Sequence, residues 1–367
     1  MNFLLDTHCD APSLLLRGAD FSRNVKQGFT PGSFPVTQVD FARMKKGGVN
    51  GSFFAIYSPN GLAPEVSAAR ALDMISKVYD AVERNSTKAA LATSPVQARR
   101  NARNGLISIF MGMENGDQIG GDLARLNLFY RLGVRYMTLT HSGNNDICDS
   151  CGTAEKRWGG LSPFGEKVVA RMNELGMLVD VSHISDDSFW DVLRVSKAPV
   201  VATHSCCRAL SNHPRNMTDD MIKALAEKGG VISVNFYPCF LDAEYHKSAD
   251  ALIDAFGDAD KAWRAEPENP ALQKNLKEAL EAMNAIPRPS YKNVVDHIDH
   301  AVSLVGIKHV GIGSDFDGID VAPDGLKDVS MMQKVIIELR RRGYSDYDIK
   351  LISSGNFFRA MDAAKAI

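Results

Sequence analysis

The chain is short of the features that would assign it to several broad classes of protein. Its 367 residues hold six cysteines, too sparse for a disulfide scaffold, and Cys206 and Cys207 are neighbours, a poor geometry for bridging each other. Reduced thiols are the simpler state. Neither sign of charge prevails: 42 Lys and Arg against 44 Asp and Glu leave a net charge of −2, with no broad positive field to attract a phosphate backbone or an anionic membrane. Nucleic acid and membranes therefore drop out as expected partners. Long hydrophobic runs are missing too, none reaching the roughly 18 residues that cross a bilayer. Met1 to Leu5 run almost directly into His8, with no signal peptide, and Arg359 to Ile367 lacks the hydrophobic tail of a lipid-anchor signal. As given, the chain reads as cytoplasmic; a chain trimmed of its leader would read the same way. No fixed-period repeat, low-complexity tract or Pro/Ser linker divides it, so one domain over 1–367 is expected.

What is present is the composition of an ordinary globular enzyme, 45% hydrophobic and 23% charged. Short apolar, β-rich runs alternate with amphipathic stretches, the pattern of strand-helix units around a parallel sheet. The strand candidates are 3–5, 49–56, 106–111, 134–139, 177–181, 200–202, 230–235 and 309–313, with helices expected at 63–84, 123–132, 164–175, 219–228, 294–304 and 329–341. Eight such units predict an α/β fold, a TIM-type (β/α)8 barrel. Local chemistry supports the boundaries: Thr218 before two aspartates is a helix N-cap, and Gly176 and Gly229-Gly230 stand where helices end. The stretch 237–290 breaks the rhythm, being charged and rich in Ala, Lys and Glu, and is expected to be a helical insertion over one barrel rim.

The ionisable residues of interest share one kind of position. Asp6-Thr7-His8-Cys9-Asp10 follows the first strand, Glu114 the third, His141 the fourth, His183 the fifth, His204 the sixth and Asp315 the eighth. In a parallel barrel these strand ends converge on the rim where catalytic groups are kept. His8-x-Asp10 places an imidazole and a carboxylate on the same side of an extended chain, where both can bind one cation, although two polar loop residues would look the same. Glu114 follows so apolar a run that an unpaired carboxylate would be costly to bury; it suits a bridge between two cations, with a helix-capping glutamate as the plainer alternative. His183 and His204 close neighbouring strands, and together these residues meet the ligand inventory of two Zn2+ ions. Mixed nitrogen and oxygen donors fit zinc better than magnesium and leave manganese and cobalt open. Spacing alone determines less at His141, at Arg215 after Pro214, and at Asp315 and Asp317, which also suit a turn. Cys148-x-x-Cys151 has no second pair, the glycines at 311, 313 and 318 lack dinucleotide-loop spacing, and His297, His300 and His309 read as helix or surface residues.

The order of motifs resembles the membrane (renal) dipeptidase family of zinc peptidases. The likeness starts at Asp6-Thr7-His8-Cys9-Asp10 and passes through Gly112-Met113-Glu114-Asn115-Gly116, Leu132 to His141 and Gly160-Leu161-Ser162-Pro163-Phe164-Gly165. It continues in Gly176 to His183, Pro199 to Ser205, His213-Pro214-Arg215-Asn216, Gly229 to Phe236, His309 to Gly318 and Gly355 to Arg359. The resemblance implies a dipeptidase acting on small peptides, L,D-dipeptides among the options, with a homodimer left open as its assembly. It implies two Zn2+ ions, one held by His8, Asp10 and Glu114 and the other by Glu114, His183 and His204. It also implies His141 as the contact to the scissile carbonyl, Arg215 as the grip on the substrate carboxylate and Asp315 as the acid/base. Two places depart from the pattern: 51–57 has no tryptophan, and Asp146-Ile147-Cys148-Asp149 replaces a Pro-Trp stretch, which bears on side-chain preference rather than on the chemistry. Barrel and metals do not fix a substrate. An N-acyl-amino-acid deacylase or lactonase on the same barrel, and a metal-bound peptide-binding protein without turnover, are the competing readings.

Overall fold

Alternation of apolar runs and amphipathic stretches resolves into a ring of parallel strands wrapped by helices. The structure, a computed structural model, describes residues 3–22 and 37–365, so both ends of the expected 1–367 domain fall outside it. The strands are β1 (Leu5–Cys9), β2 (Gly51–Tyr57), β3 (Ala89–Leu91), β4 (Ile107–Glu114), β5 (Val134–Thr138), β6 (Leu178–Asp180), β7 (Val200–Ser205), β8 (Val231–Val234) and β9 (Val310–Ile312). All neighbours pair in parallel in the order β1-β2-β4-β5-β6-β7-β8-β9, while β3 adds to β4 outside this path. The eight expected strands are thus the eight barrel strands. The three residues of β3 are too few to carry a readable pattern.

The barrel closes between its first and last strands at their C-terminal ends. Cys9 and Phe316 form an isolated parallel bridge, the Asp10 N–H donates to the Phe316 carbonyl at 2.8 Å, and the Asp315 N–H donates to the His8 carbonyl at 3.0 Å. Thr7 reinforces the seam, its hydroxyl lying 2.6 Å from the Thr203 carbonyl and 3.1 Å from that of Ile312.

Side chains alternate across the strands and make two layers of core. Ile107, Ile109, Met111 and Met113 of β4 face the outer helices, whereas Phe110 points inward with Leu5, Phe53, Tyr136, Leu178, Val201 and Val231. That inner layer is capped from the N-terminal mouth by the helix Asn356–Ala364, which contributes Phe357, Phe358 and Met361. The Asn356 side chain fixes this plug by donating to the carbonyls of Ile307 and Val310, both at 2.8 Å.

The outer helices begin and end where the sequence expects. Thr218 accepts from the Met221 N–H to start Asp219–Glu227, and Gly176, at φ +70°, ends Pro163–Leu175 in the left-handed conformation that glycine adopts without penalty. Within 237–290 lie three helices, Pro238–Leu241, Ala243–Ala265 and Pro270–Ala285, the last two packed together.

Candidate metal centre and active site

Polar side chains crowd the C-terminal mouth of the barrel, and several belong to the strands themselves. β1, β4 and β7 extend further than the apolar runs suggest, so His8, Glu114 and His204 lie within strands rather than after them. In β4 the inward series runs Phe110, Gly112, Glu114, which carries the carboxylate directly above the aromatic layer. His8 and His204 each sit at an irregularity of pairing, between Asp6 and Cys9 against β2 and between Ala202 and Ser205 against β8. Such bulges re-aim side chains; here the two rings stack with centroids 3.6 Å apart. His141, His183, Arg215 and Asp315 come from the loops beyond β5, β6, β7 and β9. His183 and Asp315 hold φ of +71° and +63°, conformations that cost non-glycine residues energy and cluster at functional sites.

Glu114 is the hub. Its Oε1 lies 3.2 Å from His183 Nε2 and 3.5 Å from His204 Nε2, and those two nitrogens are 2.9 Å apart. Its other oxygen, Oε2, lies 3.6 Å from His8 Nε2, which is 3.4 Å from Asp10 Oδ2. Donors about 2.0–2.1 Å from a tetrahedral Zn2+ are roughly 3.3 Å from one another, so the Glu114–His183–His204 triangle and the contacts of His8 with Glu114 and Asp10 are of the size a cation needs. His141 Nε2 stands 3.8 Å from Glu114 Oε1, and Asp315 Oδ1 stands 3.9 Å from His8 Nε2. The chemistry of the donors fits a cation as well as their spacing does: His8 Nε2 is buried without a hydrogen-bond partner among the described residues.

Burial, followed by the charge of Arg215, lowers the pKa of His183 well below the usual imidazole value. Burial and then the charges of His8 and Arg215 do the same to His204, so both rings are neutral and offer lone pairs. Burial alone would lower His8 too, but the Glu114 and Asp10 carboxylates outweigh it and hold it up. Asp10 is pushed up by burial and by Glu114, and Asp315 is raised to about 7 by burial and by Asp10 against the pull of His8. A divalent cation would relieve this accumulation of buried acid groups.

Around these groups lies a set of supports. Thr203 donates its hydroxyl to Asp180 Oδ2 at 2.6 Å and lies 2.8 Å from His204 Nδ1, so it accepts the Nδ1 proton and leaves Nε2 facing the centre. The Tyr136 hydroxyl lies 2.8 Å from His8 Nδ1, and the Ser142 hydroxyl 2.8 Å from His141 Nδ1. Asn235 donates to Asp315 Oδ2 at 2.9 Å. Gly318 is glycine for want of space, since a Cβ there would fall 2.3 Å from Asp10 Oδ2 and 2.6 Å from Asp315 Oδ1. Arg215 is buried, with Nη1 held 3.0 Å from the Ser205 hydroxyl and with Nε and Nη2 lacking partners among the described residues.

The eight residues to which the resemblance gives roles therefore meet at one mouth, while Asp317 sits in a turn at φ +68° and accepts from the Gln38 N–H. Asp180, Asn235, Ser205 and Tyr136 escaped sequence reading; only Asp180, a charge inside an apolar strand run, left a visible signal. Cys148 and Cys151 are free thiols. His297, His300 and His309 bond elsewhere, to Cys207 and Leu241, to Asp219 and to Gly230.

Comparison with known proteins bears on the family of the whole chain. The membrane dipeptidase family model matches residues 2–367. Dipeptidase verJ of Clonostachys rogersoniana is 33% identical over 342 residues, covering 90% of this chain and 77% of its own length. Dipeptidase aclJ of Aspergillus oryzae is 34% identical over 332 residues, covering 88% and 69%. Among solved structures, the probable dipeptidase PvdM from Pseudomonas aeruginosa superposes with a TM-score of 0.80 at 28% identity over 100% of this chain and 96% of its own. A metallopeptidase from Rhodobacter sphaeroides, bound to a phosphinate mimic of the dipeptide L-Ala-D-Ala, gives 0.79 at 25% identity over 99% and 100%.

Proposed function

The chain belongs to the membrane dipeptidase family and is a metal-dependent dipeptidase, and from that premise we propose that it works with two Zn2+ ions bridged by Glu114. One observation carries the reading: the two oxygens of Glu114 face separate donor pairs, His183 with His204 and His8 with Asp10. When bound, such a pair would supply Lewis acidity and lower the pKa of a water to roughly 7.

The chain's own groups do the rest. Arg215 presents two buried nitrogens, Nε and Nη2, without partners among the described residues while Ser205 anchors its third, a fork suited to the C-terminal carboxylate of a short peptide. Gripping a carboxylate so near the scissile bond favours dipeptides over longer chains. His141, lowered to about 4 by burial and by Arg215, is neutral; with Ser142 at Nδ1, its Nε2–H is free to donate to the carbonyl oxygen as negative charge develops there. Asp315, its carboxyl raised to about 7 by burial and anchored by Asn235, exchanges a proton near neutral pH and so can pass one to the departing amine.

Residues 1–367 act in this reading as one domain, with the insertion 237–290 lying over the rim as a cover. Supporting this, His246 of Ala243–Ala265 stands edge-on to His213, two residues before Arg215, with ring centroids 4.7 Å apart. No described helix is long and apolar enough to cross a membrane.

The Rhodobacter sphaeroides protein binds a mimic with a D-residue at the C-terminal position, and we extend that tolerance to this chain. Zinc analysis combined with a panel of L,L- and L,D-dipeptides, their N-acetylated forms and tripeptides tests metal and substrate together. Two zinc ions per chain and cleavage of the free dipeptides are expected. Cleavage of the acetylated compounds alone would establish a deacylase instead.

A further inference from the structure

The floor beneath the metal centre is aromatic, and one of its hydroxyls reaches a ligand. Tyr136 is fully buried, its ring centroid 5.1 Å from that of Phe53, which in turn lies 4.7 Å from Phe110 and 5.3 Å from Phe357 of the C-terminal helix. Opposite, β4 has no side chain at the position paired with Tyr136: a Cβ on Gly112 would fall between 2.0 and 2.4 Å from three atoms of the Tyr136 ring. The ring is therefore confined by Phe53 and by bare backbone. Its hydroxyl can end in one place, 2.8 Å from His8 Nδ1.

That contact decides which nitrogen of His8 is useful. Nε2 is the atom facing Asp10 and Glu114, and it offers a lone pair only if the ring proton sits on Nδ1. The proton then needs an acceptor in a buried place, and the Tyr136 oxygen is the partner found there. We propose that Tyr136 is a positioning residue that sets the tautomer and ring angle of His8, and hence the zinc affinity of the His8–Asp10 half of the centre, with Gly112 keeping the passage for its ring. The proposal rests on reading His8 and Asp10 as ligands. It also predicts an asymmetry, because His204 is oriented independently through Thr203 and Asp180.

The test uses the full chain, stripped with a chelator and titrated with Zn2+ against a competing metal indicator. In Tyr136→Phe the ring volume is kept and only the hydroxyl is lost. One of the two zinc-binding steps is expected to weaken by about 10–100-fold, as for other partners of metal-bound histidines, while the second step stays as in the wild type. Gly112→Ala, which keeps the phenol but displaces it, is expected to weaken the same step. Asp10→Asn serves as the reference, since it removes charge from the ligand set itself. If Asp10→Asn alters neither step, the ligand reading fails. If Asp10→Asn weakens one step and Tyr136→Phe weakens none, or weakens both equally, the positioning role alone is overturned.

Discussion

Asp315 shows how much one side chain depends on its backbone. At φ +63° it occupies a left-handed conformation that aspartate and asparagine tolerate better than most residues, and its far oxygen is fixed by Asn235. Asp315→Asn therefore keeps the fold and the neighbouring metal ligands while removing the ability to carry a proton. Turnover of a dipeptide is expected to fall by about 10²–10⁴-fold with bound zinc unchanged on metal analysis; a variant with wild-type kcat would remove Asp315 from the mechanism. Residues of this kind were legible less from their own spacing, since Asp315 also suits a turn, than from sharing strand ends with other ligand types and from the family resemblance. Tyr136 was not, because an aromatic inside a strand is what a core demands, and only the 2.8 Å contact of its hydroxyl with His8 separates the two roles. Asn235 and Ser205 were silent for a related reason, since small polar residues near strand ends serve turns as often as sites.

Among the elements, the helix Tyr291–Val305 binds the rim loops to the barrel wall through a single histidine. His297 is buried; its Nδ1 accepts from the Cys207 N–H at 3.0 Å while its Nε2–H donates to the Leu241 carbonyl at 3.1 Å, a pattern open only to the neutral ring. Burial accordingly lowers its pKa from 6.5 to about 4. The unfolded chain then takes up more protons at this residue than the folded one between pH 6.5 and 4, so its stabilising contribution is present above that window and is lost as pH falls through it. Denaturant midpoints measured from pH 7.5 to 4.5 are expected to decline more steeply for the wild type than for His297→Gln; parallel curves would show that His297 does not set this dependence. The eight barrel strands were visible as apolar runs bounded by turn residues, but their ends were not. β1 and β7 continue through His8 and His204, polar residues buried against one another rather than against solvent, and a pattern of hydrophobicity stops before such residues. The helix Asn356–Ala364 went unplaced because its role as a plug depends on strands hundreds of residues away.

At the scale of the molecule, the barrel has two ends with different duties, an apolar floor and a polar mouth. Phe357 and Phe358 belong wholly to the floor, packed among Phe53, Phe110 and Phe3. Phe357→Ala is expected to cost about 3–5 kcal/mol of stability, with loss of activity on mild heating ahead of any loss of zinc affinity at low temperature; thermal unfolding in parallel with zinc titration measures both, and an unchanged unfolding temperature would contradict the plug. The seam between β1 and β9 carries a consequence in time as well as in space. His8 and Asp10 come from the start of the chain, while their neighbour Asp315 and the hydrogen bonds that close the ring arrive more than three hundred residues later. During synthesis the catalytic mouth cannot be completed until the last barrel strand has emerged, so the site gains its full set of side chains only after the rest of the barrel has been made.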